Sequence, residues 1–328
     1  MREESFGGVA VIVNPEKVWK QRRVASGLSP ARNLRFVAGF PLPMRSVIVE
    51  VPATTSNLGP GYDCLGVALS VYNRVTVTQA EGEPPFEMAL EAAEVFFAKA
   101  KREAFPFACR IEGEVPMSRG LGSSVTLRLG VLNGLNVLVG EPLSRTEVFE
   151  IGASLEGHPD NAAPAQFGGF TVAGGEAHSA PPLRFAVAPE LSFVLLVPNF
   201  EVRTADSRRI LPEDVNRKAA VASSARACRI TAAFAGGRYT ALQDAFEDSA
   251  FHQPHRLPLV PFLPKVLAAG RGAGALGGFL SGSGSTVACL TLEDPEGVAA
   301  AMLEASGLEG ARTVVTQADN QGARIVAA

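Results

Sequence analysis

Residues 116–124 read Pro116-Met117-Ser118-Arg119-Gly120-Leu121-Gly122-Ser123-Ser124, a glycine-rich run followed by an apolar stripe. Two glycines without Cβ atoms let a backbone bend closely around an anion. A helix is predicted to begin at the serines, because serine favours helix starts and apolar residues then recur at three- and four-residue spacing. Such a loop presents free N–H groups to an anion. The run is typical of a phosphate-binding loop. Taken alone, it fits a glycine-rich turn that merely starts a core helix equally well.

A second run, Glu156-Gly157-His158-Pro159-Asp160-Asn161, lies downstream of the first. The glycine loop lacks the lysine of the Walker pattern, so it predicts a phosphate loop of another kind. Glu156 can offer Mg²⁺ the hard carboxylate oxygen that it needs, and a serine hydroxyl of the loop can offer a second oxygen. Taken alone, His-Pro-Asp-Asn is also good surface-turn chemistry. The pairing of the two runs favours phosphoryl transfer.

Two further runs complete the pattern. Residues 51–66 read Val51-Pro52-Ala53-Thr54-Thr55-Ser56-Asn57-Leu58-Gly59-Pro60-Gly61-Tyr62-Asp63-Cys64-Leu65-Gly66, and residues 280–287 read Leu280-Ser281-Gly282-Ser283-Gly284-Ser285-Thr286-Val287. In this order the four runs resemble those of the GHMP-superfamily small-molecule kinases. The central Glu-Gly-His-Pro-Asp-Asn run is similar to that of homoserine kinases in particular. The resemblance extends from about Met44 to the C-terminus.

The resemblance implies an α+β, two-domain GHMP kinase fold. Its N-terminal domain would be like domain 2 of ribosomal protein S5 and would carry the phosphate loop, at residues 44–200. Its C-terminal domain, at residues 201–328, would be a ferredoxin-like α+β unit, with the active site in the cleft between the two. Hydrophobic periodicity alone predicts only a mixture of helices and strands.

The resemblance also implies which residues hold the nucleotide, so ATP and Mg²⁺ are the expected cofactors. Ser124 and Glu156 are the expected metal ligands. The residues expected to contact ATP all belong to the glycine-rich run: Pro116, Ser118, Arg119, Gly120, Leu121, Gly122, Ser123 and Ser124.

Homoserine presents an ammonium, a carboxylate and a hydroxyl, and the resemblance assigns a residue to each group. Asn57 and Asp63 would hold the amino acid, and Asn161 would lie beside the reacting hydroxyl. Arg208 and Arg256 would clamp the carboxylate, since a guanidinium meets a carboxylate with two hydrogen bonds.

A strong base is not obligatory, because phosphoryl transfer has a loose transition state and depends on positioning and charge neutralisation. We therefore expect Asn161 and Arg208 to be the catalytic residues, with Asn161 orienting the hydroxyl. The commoner fate of an arginine is a solvated surface charge, which we expect for Arg209 and Arg217.

These features predict an ATP-dependent homoserine kinase that makes O-phospho-L-homoserine for threonine biosynthesis. One alternative is a GHMP kinase acting on another small alcohol. The other is a catalytically silent protein of the same fold that binds a metabolite. The resemblance further implies a cytoplasmic protein. Relatives are often dimers, which makes a homodimer one expectation, but the sequence does not decide the oligomeric state.

Composition excludes some partners. The chain has 328 residues, 47% of them hydrophobic, which is enough for a substantial core. Its net charge of −3 argues against nucleic acid as the main partner. No apolar run reaches the length that a membrane span requires. The cysteines have no paired spacing, which predicts free thiols at all four positions: Cys64, Cys109, Cys228 and Cys289.

Several positions depart from the family pattern. Tyr62 and Cys64 stand where relatives usually have Phe and Ser, and the last run has Gly-Ser-Thr where Gly-Pro-Thr is usual. The predicted helix at 87–103 lacks the asparagine-bearing stretch that commonly precedes it and helps to hold adenine. Arg128 lies in the phosphate-loop helix where relatives have small residues. It is either a neighbour of the phosphate site or a solvent-facing charge, and we favour the second.

The first 43 residues differ from the rest, with more basic than acidic residues and little periodicity. We predict that they are a poorly ordered extension and that Met44 is the natural start. Elsewhere the patterns predict helices at 145–155, 215–234, 242–248 and 295–306. They predict strands at 47–51, 71–78, 107–111, 278–280, 286–292 and 311–316. Two more predicted strands, at 168–173 and 191–197, would close the first domain.

Overall fold

The computed structural model describes residues 45–80, 86–174, 181–248 and 250–328. The predicted extension at residues 1–43 and the proposed start at Met44 lie outside these residues. Two antiparallel sheets organise the described chain, and helices cover one face of each. This mixture of segregated helices and antiparallel strands confirms the α+β expectation.

The first sheet has six strands in the order β10-β1-β2-β4-β5, with β3 also paired to β2. Its strands are β1 (Arg45–Ser56), β2 (Leu65–Gln79), β3 (Phe107–Gly113), β4 (Phe170–Val172), β5 (Leu183–Phe185) and β10 (Arg324–Ala327). In the second half of β2 buried valines alternate with more exposed residues, which is the period of a strand. The β1–β2 register shifts after Pro52, a residue that has no N–H for the ladder.

Helices α1 (Glu87–Ala100) and α3 (Arg145–Glu156) pack against α2 (Ser123–Leu138), which itself lies on β1 and β2 of the first sheet. Gly130 and Gly134 lie one turn apart on α2. A Cβ atom on Gly130 would lie 2.4 Å from a Val75 methyl, and one on Gly134 would lie 2.7 Å from a Val77 methyl. The two glycines therefore let α2 approach β2 closely. This packing fixes the position of the loop that precedes the helix.

The second sheet has four strands in the order β7-β8-β6-β9, all antiparallel. Its strands are β6 (Ser192–Val197), β7 (Gly277–Leu280), β8 (Val287–Thr291) and β9 (Arg312–Thr316). Two helices pack together on one face, α8 (Leu263–Gly272) and α9 (Pro295–Ser306). The shorter or more peripheral helices are α4 (Ala162–Phe167), α5 (Thr204–Arg209), α6 (Arg217–Ala235) and α7 (Gln253–Arg256).

A continuous apolar cluster joins the two sheets. It includes Leu69 and Phe170 from the first sheet, Phe193 and Phe279 from the second, and Phe234 of α6, all nearly inaccessible to water. The Phe170 and Phe234 rings stack with their centroids 4.3 Å apart. Separate clusters lie beneath α1–α3 and beneath α8 and α9. The two sheets are thus held by a shared core rather than by a flexible linker.

Strand membership differs from the expectation at two places. The strand predicted at 191–197 to close the first domain is β6, which lies at the centre of the second sheet between β8 and β9. The C-terminal strand β10, which the patterns missed, returns to the first sheet and pairs with β1. The predicted domain boundary at residue 200 stays a prediction. Strand β6 precedes residue 200 but belongs to the second sheet, and β10 follows it but belongs to the first.

The helix predicted at 242–248 is wrong. A 3₁₀ turn, Tyr239–Leu242, ends there, and an irregular segment follows. Asp248 explains the difference, because its carboxylate accepts the backbone N–H groups of Ala250, Phe251, His252 and Gln253 at 2.6–3.0 Å. These bonds organise a loop that leads into α7 instead of a helix.

Other local predictions are confirmed. Helix α3 begins with a capping box between Ser144 and Glu147 and ends at Gly157, whose φ of 79° suits glycine. Residues 272–277 read Gly-Ala-Gly-Ala-Leu-Gly, the letters of a dinucleotide-binding fingerprint, but they join helix α8 to strand β7, which is the reverse of the order in that motif. All four cysteines are unpaired. None of the helices in the described ranges is both long and apolar enough to cross a lipid bilayer.

Candidate active site

The loop between β1 and β2 contains three non-glycine residues with positive φ: Asn57, Leu58 and Asp63. Such conformations persist where surrounding bonds enforce them. The Asn57 amide oxygen accepts the Asp63 backbone N–H at 3.0 Å, and its nitrogen donates to the Gly282 carbonyl at 3.1 Å. Asn57, predicted to bind substrate, is thus buried and braces the loop that presents Asp63.

The glycine-rich run lies against the other motifs. A Cβ atom on Gly122 would lie 2.2 Å from the Thr54 hydroxyl oxygen, and one on Gly120 would lie 2.1 Å from the Ser281 carbonyl oxygen. Both glycines have positive φ, near 70°. The Ser281 hydroxyl donates to the Gly120 carbonyl at 2.7 Å. The glycines are therefore needed for close approach as well as for the turn.

Helix α2 begins at Ser123, directly after this loop, as predicted. The Thr126 N–H donates to the Gly122 carbonyl at 3.0 Å, which closes the first turn. The N–H groups of the first turn have no partner inside the helix, so they face the loop with the positive end of the helix dipole. This geometry suits a phosphate group.

Arg119 and Ser118 connect the loop to the second half of the chain. The Arg119 side chain donates to the Pro198 carbonyl at 3.0 Å and to the Met117 carbonyl at 2.8 Å. The Ser118 carbonyl accepts the Val202 N–H at 3.0 Å. These contacts anchor the loop just beyond the end of β6.

Glu156, the predicted metal ligand, ends α3 beside the start of α2. The Ser124 hydroxyl donates to one of its carboxylate oxygens at 2.9 Å, so the two predicted metal ligands are adjacent. Both offer oxygen atoms next to the phosphate loop, which is a donor set that fits Mg²⁺. Arg128, one turn after Ser124, donates to the other carboxylate oxygen.

The expectation that Arg128 faces solvent is wrong. Only 13% of its side chain is exposed, and it bridges Glu156 to Glu91 of α1, whose carboxylate lies 3.3 Å away. The inward orientation arises because Ser124 and Arg128 lie four residues apart, on the same face of α2. Sequence spacing could have indicated this proximity.

Asn161 lies where the central and first motifs meet. Its amide oxygen accepts the Thr54 hydroxyl at 2.7 Å, and its amide nitrogen donates to the Ser56 hydroxyl oxygen at 3.0 Å. Two hydroxyl groups from β1 thus fix the orientation of the amide. Asn161 is 9% exposed, so one edge of it can meet a small molecule.

Asp160 and His158 form a polar pair behind Asn161. The His158 ring hydrogen-bonds to the Asp160 carboxylate, which is almost inaccessible to water. Burial opposes the charge on Asp160, but hydrogen bonds from His158 and Ser56 together hold the pKa of Asp160 below its usual value. Burial also opposes the charge on His158, but Asp160 raises the pKa of His158 above its ordinary value. Both shifts favour the charged form of the group concerned.

Asp63 and Arg208 form a two-bond ion pair at the mouth of the site. The two Nη atoms of Arg208 donate to the two carboxylate oxygens of Asp63 at 3.0 and 2.8 Å. The Arg208 side chain is 37% exposed and that of Asp63 is 31% exposed. The Tyr62 hydroxyl accepts a further bond from Arg208 at 3.0 Å. The pair is accessible and has one charge of each sign.

Arg256 lies deeper and is 2% exposed. It donates to the Gly282 carbonyl at 2.8 Å and to the Ser207 carbonyl at 3.2 Å. Its guanidinium and that of Arg208 both lie over the Tyr62 ring, at 5.5 and 5.7 Å from the centroid. The two arginines predicted to clamp the carboxylate are therefore brought together by one aromatic ring.

Several side chains of the site were not predicted: Thr54, Ser56, Tyr62, His158 and His252. Four of them belong to the quoted motifs, so their place in those motifs was an available signal. His252 is different, because its ring is completely buried and stacks on Tyr62 with centroids 5.4 Å apart. Its position depends on the hydrogen bonds from the backbone of residues 250–253 to Asp248, in a segment outside the quoted runs.

One further group of side chains in the described residues could hold a cation: Asp63, His158 and Asp160, whose ligand atoms lie within 4.8 Å of one another. Each member already has a charged partner. Asp63 is paired with Arg208, and His158 with Asp160. All three side chains are therefore already engaged in hydrogen bonds or ion pairs.

Comparisons with known proteins identify the family of the chain. Residues 87–169 match the GHMP kinases N terminal domain, and residues 230–307 match the GHMP kinases C terminal domain. The chain is 36% identical over 295 residues to the homoserine kinase of Moorella thermoacetica, a match covering 85% of this chain and 99% of that protein. It is 38% identical to the homoserine kinase of Deinococcus radiodurans, over 75% of this chain and 85% of the relative.

Solved structures show the same fold. The crystal structure of a homoserine kinase from Cytophaga hutchinsonii has a TM-score of 0.78 at 23% identity, over 90% of this chain and all of that one. A putative homoserine kinase from Listeria monocytogenes has a TM-score of 0.69 at 27% identity, over 86% of this chain and all of that one. The expected two-domain GHMP kinase fold is confirmed. This chain belongs to the homoserine kinase family of the GHMP kinases.

Proposed function

We propose that this protein transfers the γ-phosphoryl group of ATP to the side-chain hydroxyl of L-homoserine, which gives O-phospho-L-homoserine. The observation that supports this best is the placement of the Asp63–Arg208 pair, Asn161 and the phosphate loop around one region, linked through hydrogen bonds of the intervening residues Thr54, Asn57, Ser281 and Gly282. An α-amino acid needs one anionic and one cationic partner, and the pair provides both. Family membership then supports homoserine as the amino acid.

The acceptor would bind by exchange of ion pairs. In the absence of substrate Asp63 and Arg208 satisfy each other. The homoserine ammonium would take Asp63, and its carboxylate would take Arg208, with Arg256 behind it. A neutral alcohol would leave the pair intact and gain neither contact, which disfavours acceptors such as simple alcohols.

The reacting hydroxyl would lie at Asn161. The amide is held by Thr54 and Ser56, so it can orient the hydroxyl without reorganising. We infer that the proton leaves late, to a phosphate oxygen or to water, because an asparagine is a poor base and the transition state is loose. Arg208 would neutralise the carboxylate of homoserine, and this contact would help to hold the reacting hydroxyl beside Asn161.

The donor would lie along the glycine-rich run. The N–H groups at the start of α2 would bind the phosphates, and Ser124 and Glu156 would hold Mg²⁺. When bound, the metal would neutralise charge on the phosphates. Pro116, Ser118 and Arg119 would shape the loop, and Leu121 is buried where it supports the glycines.

The decisive experiment is a coupled ADP-release assay with Mg-ATP that compares homoserine with serine, threonine, mevalonate and no acceptor. We expect turnover with homoserine, detected independently as O-phosphohomoserine by ³¹P NMR. Glu156→Gln, Arg208→Ala and Asn161→Ala should each lower it, whereas Glu304→Gln on α9 should not. Turnover with another alcohol alone would replace the substrate, and ATP binding without turnover would favour the silent binding protein.

The homodimer and the cytoplasmic location implied by the resemblance stay predictions. Light scattering during size-exclusion chromatography would measure the mass of the purified chain against the 34.3 kDa of one copy. If the product is O-phosphohomoserine, the role in threonine biosynthesis follows from the family.

A further inference from the structure

Arg128 occupies a place that is unusual for a charge, beside the proposed metal ligand. One guanidinium nitrogen donates to a Glu156 carboxylate oxygen, and the other lies 3.3 Å from Glu91. The Ser124 hydroxyl donates to the second Glu156 oxygen at 2.9 Å. Both oxygens of Glu156 are thus bound within the protein, one of them to a fixed cation.

This arrangement affects any cation that approaches Glu156. The Glu156 side chain is 9% exposed and that of Arg128 is 13% exposed, so solvent screens their charges weakly. A divalent ion bound to Ser124 and Glu156 would meet a carboxylate already neutralised by Arg128 and would be repelled by the guanidinium. The free protein should therefore hold such an ion poorly.

We infer that Arg128 is a resident counter-cation of Glu156, a positioning residue that makes divalent metal bind together with nucleotide and not ahead of it. Arg128 neutralises the negative charge of Glu156, and the phosphates of a bound nucleotide would supply the further negative charge that a divalent ion needs. This inference rests on the proposed function, because it takes Glu156 to be a metal ligand. It assigns the order of metal binding to one residue of this chain.

Two effects of removing Arg128 oppose each other. Loss of its hydrogen bond frees the Glu156 carboxylate to rotate, which weakens metal binding. Loss of its positive charge removes the electrostatic repulsion between the guanidinium and the divalent ion, which strengthens metal binding. We expect the charge effect to dominate, because the Ser124 hydroxyl still holds the carboxylate.

The Arg128 Nε atom supports a role for the guanidinium charge. It is buried and has no hydrogen-bond partner among the described residues. A buried unpaired donor is unfavourable, so arginine is not the residue that simple packing would select here. Its two outer nitrogens, which reach Glu156 and Glu91, account for its presence.

The test is Mn²⁺ binding to the nucleotide-free, full-length protein, measured by electron paramagnetic resonance as the loss of free-ion signal. Arg128→Gln keeps a hydrogen-bond donor and removes the charge, Arg128→Met removes both, and Arg128→Lys keeps the charge. We expect Mn²⁺ to bind about tenfold more tightly to the Gln and Met variants than to the wild type. The Lys variant should remain within about twofold of the wild type.

A second substitution locates the effect. Adding Glu156→Gln to Arg128→Gln should abolish the gain. Unchanged or weaker Mn²⁺ binding by Arg128→Gln would overturn the inference, as would a gain that survives Glu156→Gln. Circular dichroism melts identify any variant that fails to fold. If Arg128→Met does not fold, the comparison of Arg128→Gln with Arg128→Lys decides the question. No acceptor is present, so the homoserine assay on the wild type can fail without affecting this result.

Discussion

At the scale of single residues, we predict that the half-buried Asp63–Arg208 pair contributes more to substrate binding than to stability. Ion pairs accessible to water contribute at most about 1 kcal/mol to folding. In the proposed site, Asp63 would bind the ammonium of a zwitterion and Arg208 its carboxylate. The Tyr62 hydroxyl and ring also contact Arg208 and hold its guanidinium in place. Substitution should therefore change substrate affinity far more than thermal stability.

Arg208→Lys keeps the positive charge and loses the planar pair of N–H donors. We expect the KM for homoserine to rise about 10- to 100-fold, since a hydrogen bond to a charged group is worth about 1.5–3 kcal/mol. The KM for ATP should change little. Steady-state kinetics with each substrate varied in turn measures both.

The neighbouring residue provides the control for that substitution. Arg209 also lies on α5, but its side chain is 76% exposed, and its ion pair within the described ranges is with Asp206, three residues earlier. Arg209→Lys should leave both KM values unchanged. Equal effects of the two substitutions would mean that α5, and not the Arg208 side chain, is what matters.

At the scale of elements, the glycine-rich loop depends on contacts that no other residue type permits. Gly122 ends the loop with a φ of 71°, and the Thr54 side chain fills the space that a Cβ atom would need. Gly140, after α2, has a similar φ of 84° and has no atom within 4 Å of a Cβ position. The two glycines thus separate backbone strain from steric collision.

Gly140→Ala should cost only the left-handed strain, about 1–2 kcal/mol of unfolding free energy, with kinetics unchanged. Gly122→Ala adds a collision with Thr54, which also holds Asn161. We expect it to lower kcat/KM for ATP by at least about 100-fold. Urea unfolding and initial rates on both variants make the comparison, and similar kinetic losses would refute the collision argument.

The segment from Asp248 to Arg256 is a second element whose state depends on charge. The His252 Nε2 hydrogen-bonds to the Gly59 carbonyl at 2.8 Å, and its Nδ1 lies 3.1 Å from an Arg256 nitrogen. Both contacts are satisfied by neutral imidazole, with Nε2 donating and Nδ1 accepting. Burial and the charge of Arg256 lower the pKa of His252 from 6.5 to about 4.

A lowered histidine pKa makes the unfolded chain bind more protons between pH 4 and pH 6.5. The unfolding free energy should therefore rise with pH across this window, by up to about 3 kcal/mol from this group. The stabilisation is complete above pH 6.5 and is lost as the pH falls toward 4. Chemical denaturation at pH 4.5, 5.5 and 6.5 measures it.

His252→Gln should flatten this dependence, whereas His255→Gln should retain it. His158 does not interfere, because its raised pKa gives stability that is present below pH 6.5 and is lost only at higher pH. An unchanged slope in His252→Gln would show that other groups control the acid side.

At the scale of the whole molecule, the C-terminal segment closes the first sheet. Asp319 is 6% exposed and accepts hydrogen bonds from the Gln321 and Gly322 backbones, the Tyr72 hydroxyl and Arg324. Arg324 also binds Glu50 of β1 and lies over the Tyr72 ring. These bonds hold β10 against β1, although the two strands lie near opposite ends of the described chain.

Asp319→Ala should destabilise the protein by about 3 kcal/mol, because it leaves the buried side of Arg324 and two turn N–H groups without their acceptor. Urea unfolding followed by far-ultraviolet circular dichroism measures the change. Asp206→Ala removes an exposed carboxylate from α5 and should have an effect below about 0.5 kcal/mol. A loss below about 1 kcal/mol for Asp319→Ala would mean that β10 contributes little to the first sheet.

The sequence determined the local features of this protein: the start of α2 at Ser123, the end of α3 before Gly157, and the four motif runs that identify the family. Such features depend on neighbours within a few residues, so periodicity, capping and turn chemistry predict them. Most residues of the candidate site were also available, since they lie in those runs; Arg208 and Arg256 lie outside them and were assigned from the family resemblance, and His252 was missed.

Only the tertiary structure decided which distant parts meet. Thr55 contacts Ser281 across 226 positions, β6 joins the second sheet, β10 returns to the first, and Arg128 turns toward Glu156. A strand pattern shows which side chains are buried but does not specify the neighbouring strand. An arginine on a helix is inward or outward according to the partner that another helix presents. Pairings of this kind depend on the free energy of the whole packed arrangement, which no local stretch of sequence contains.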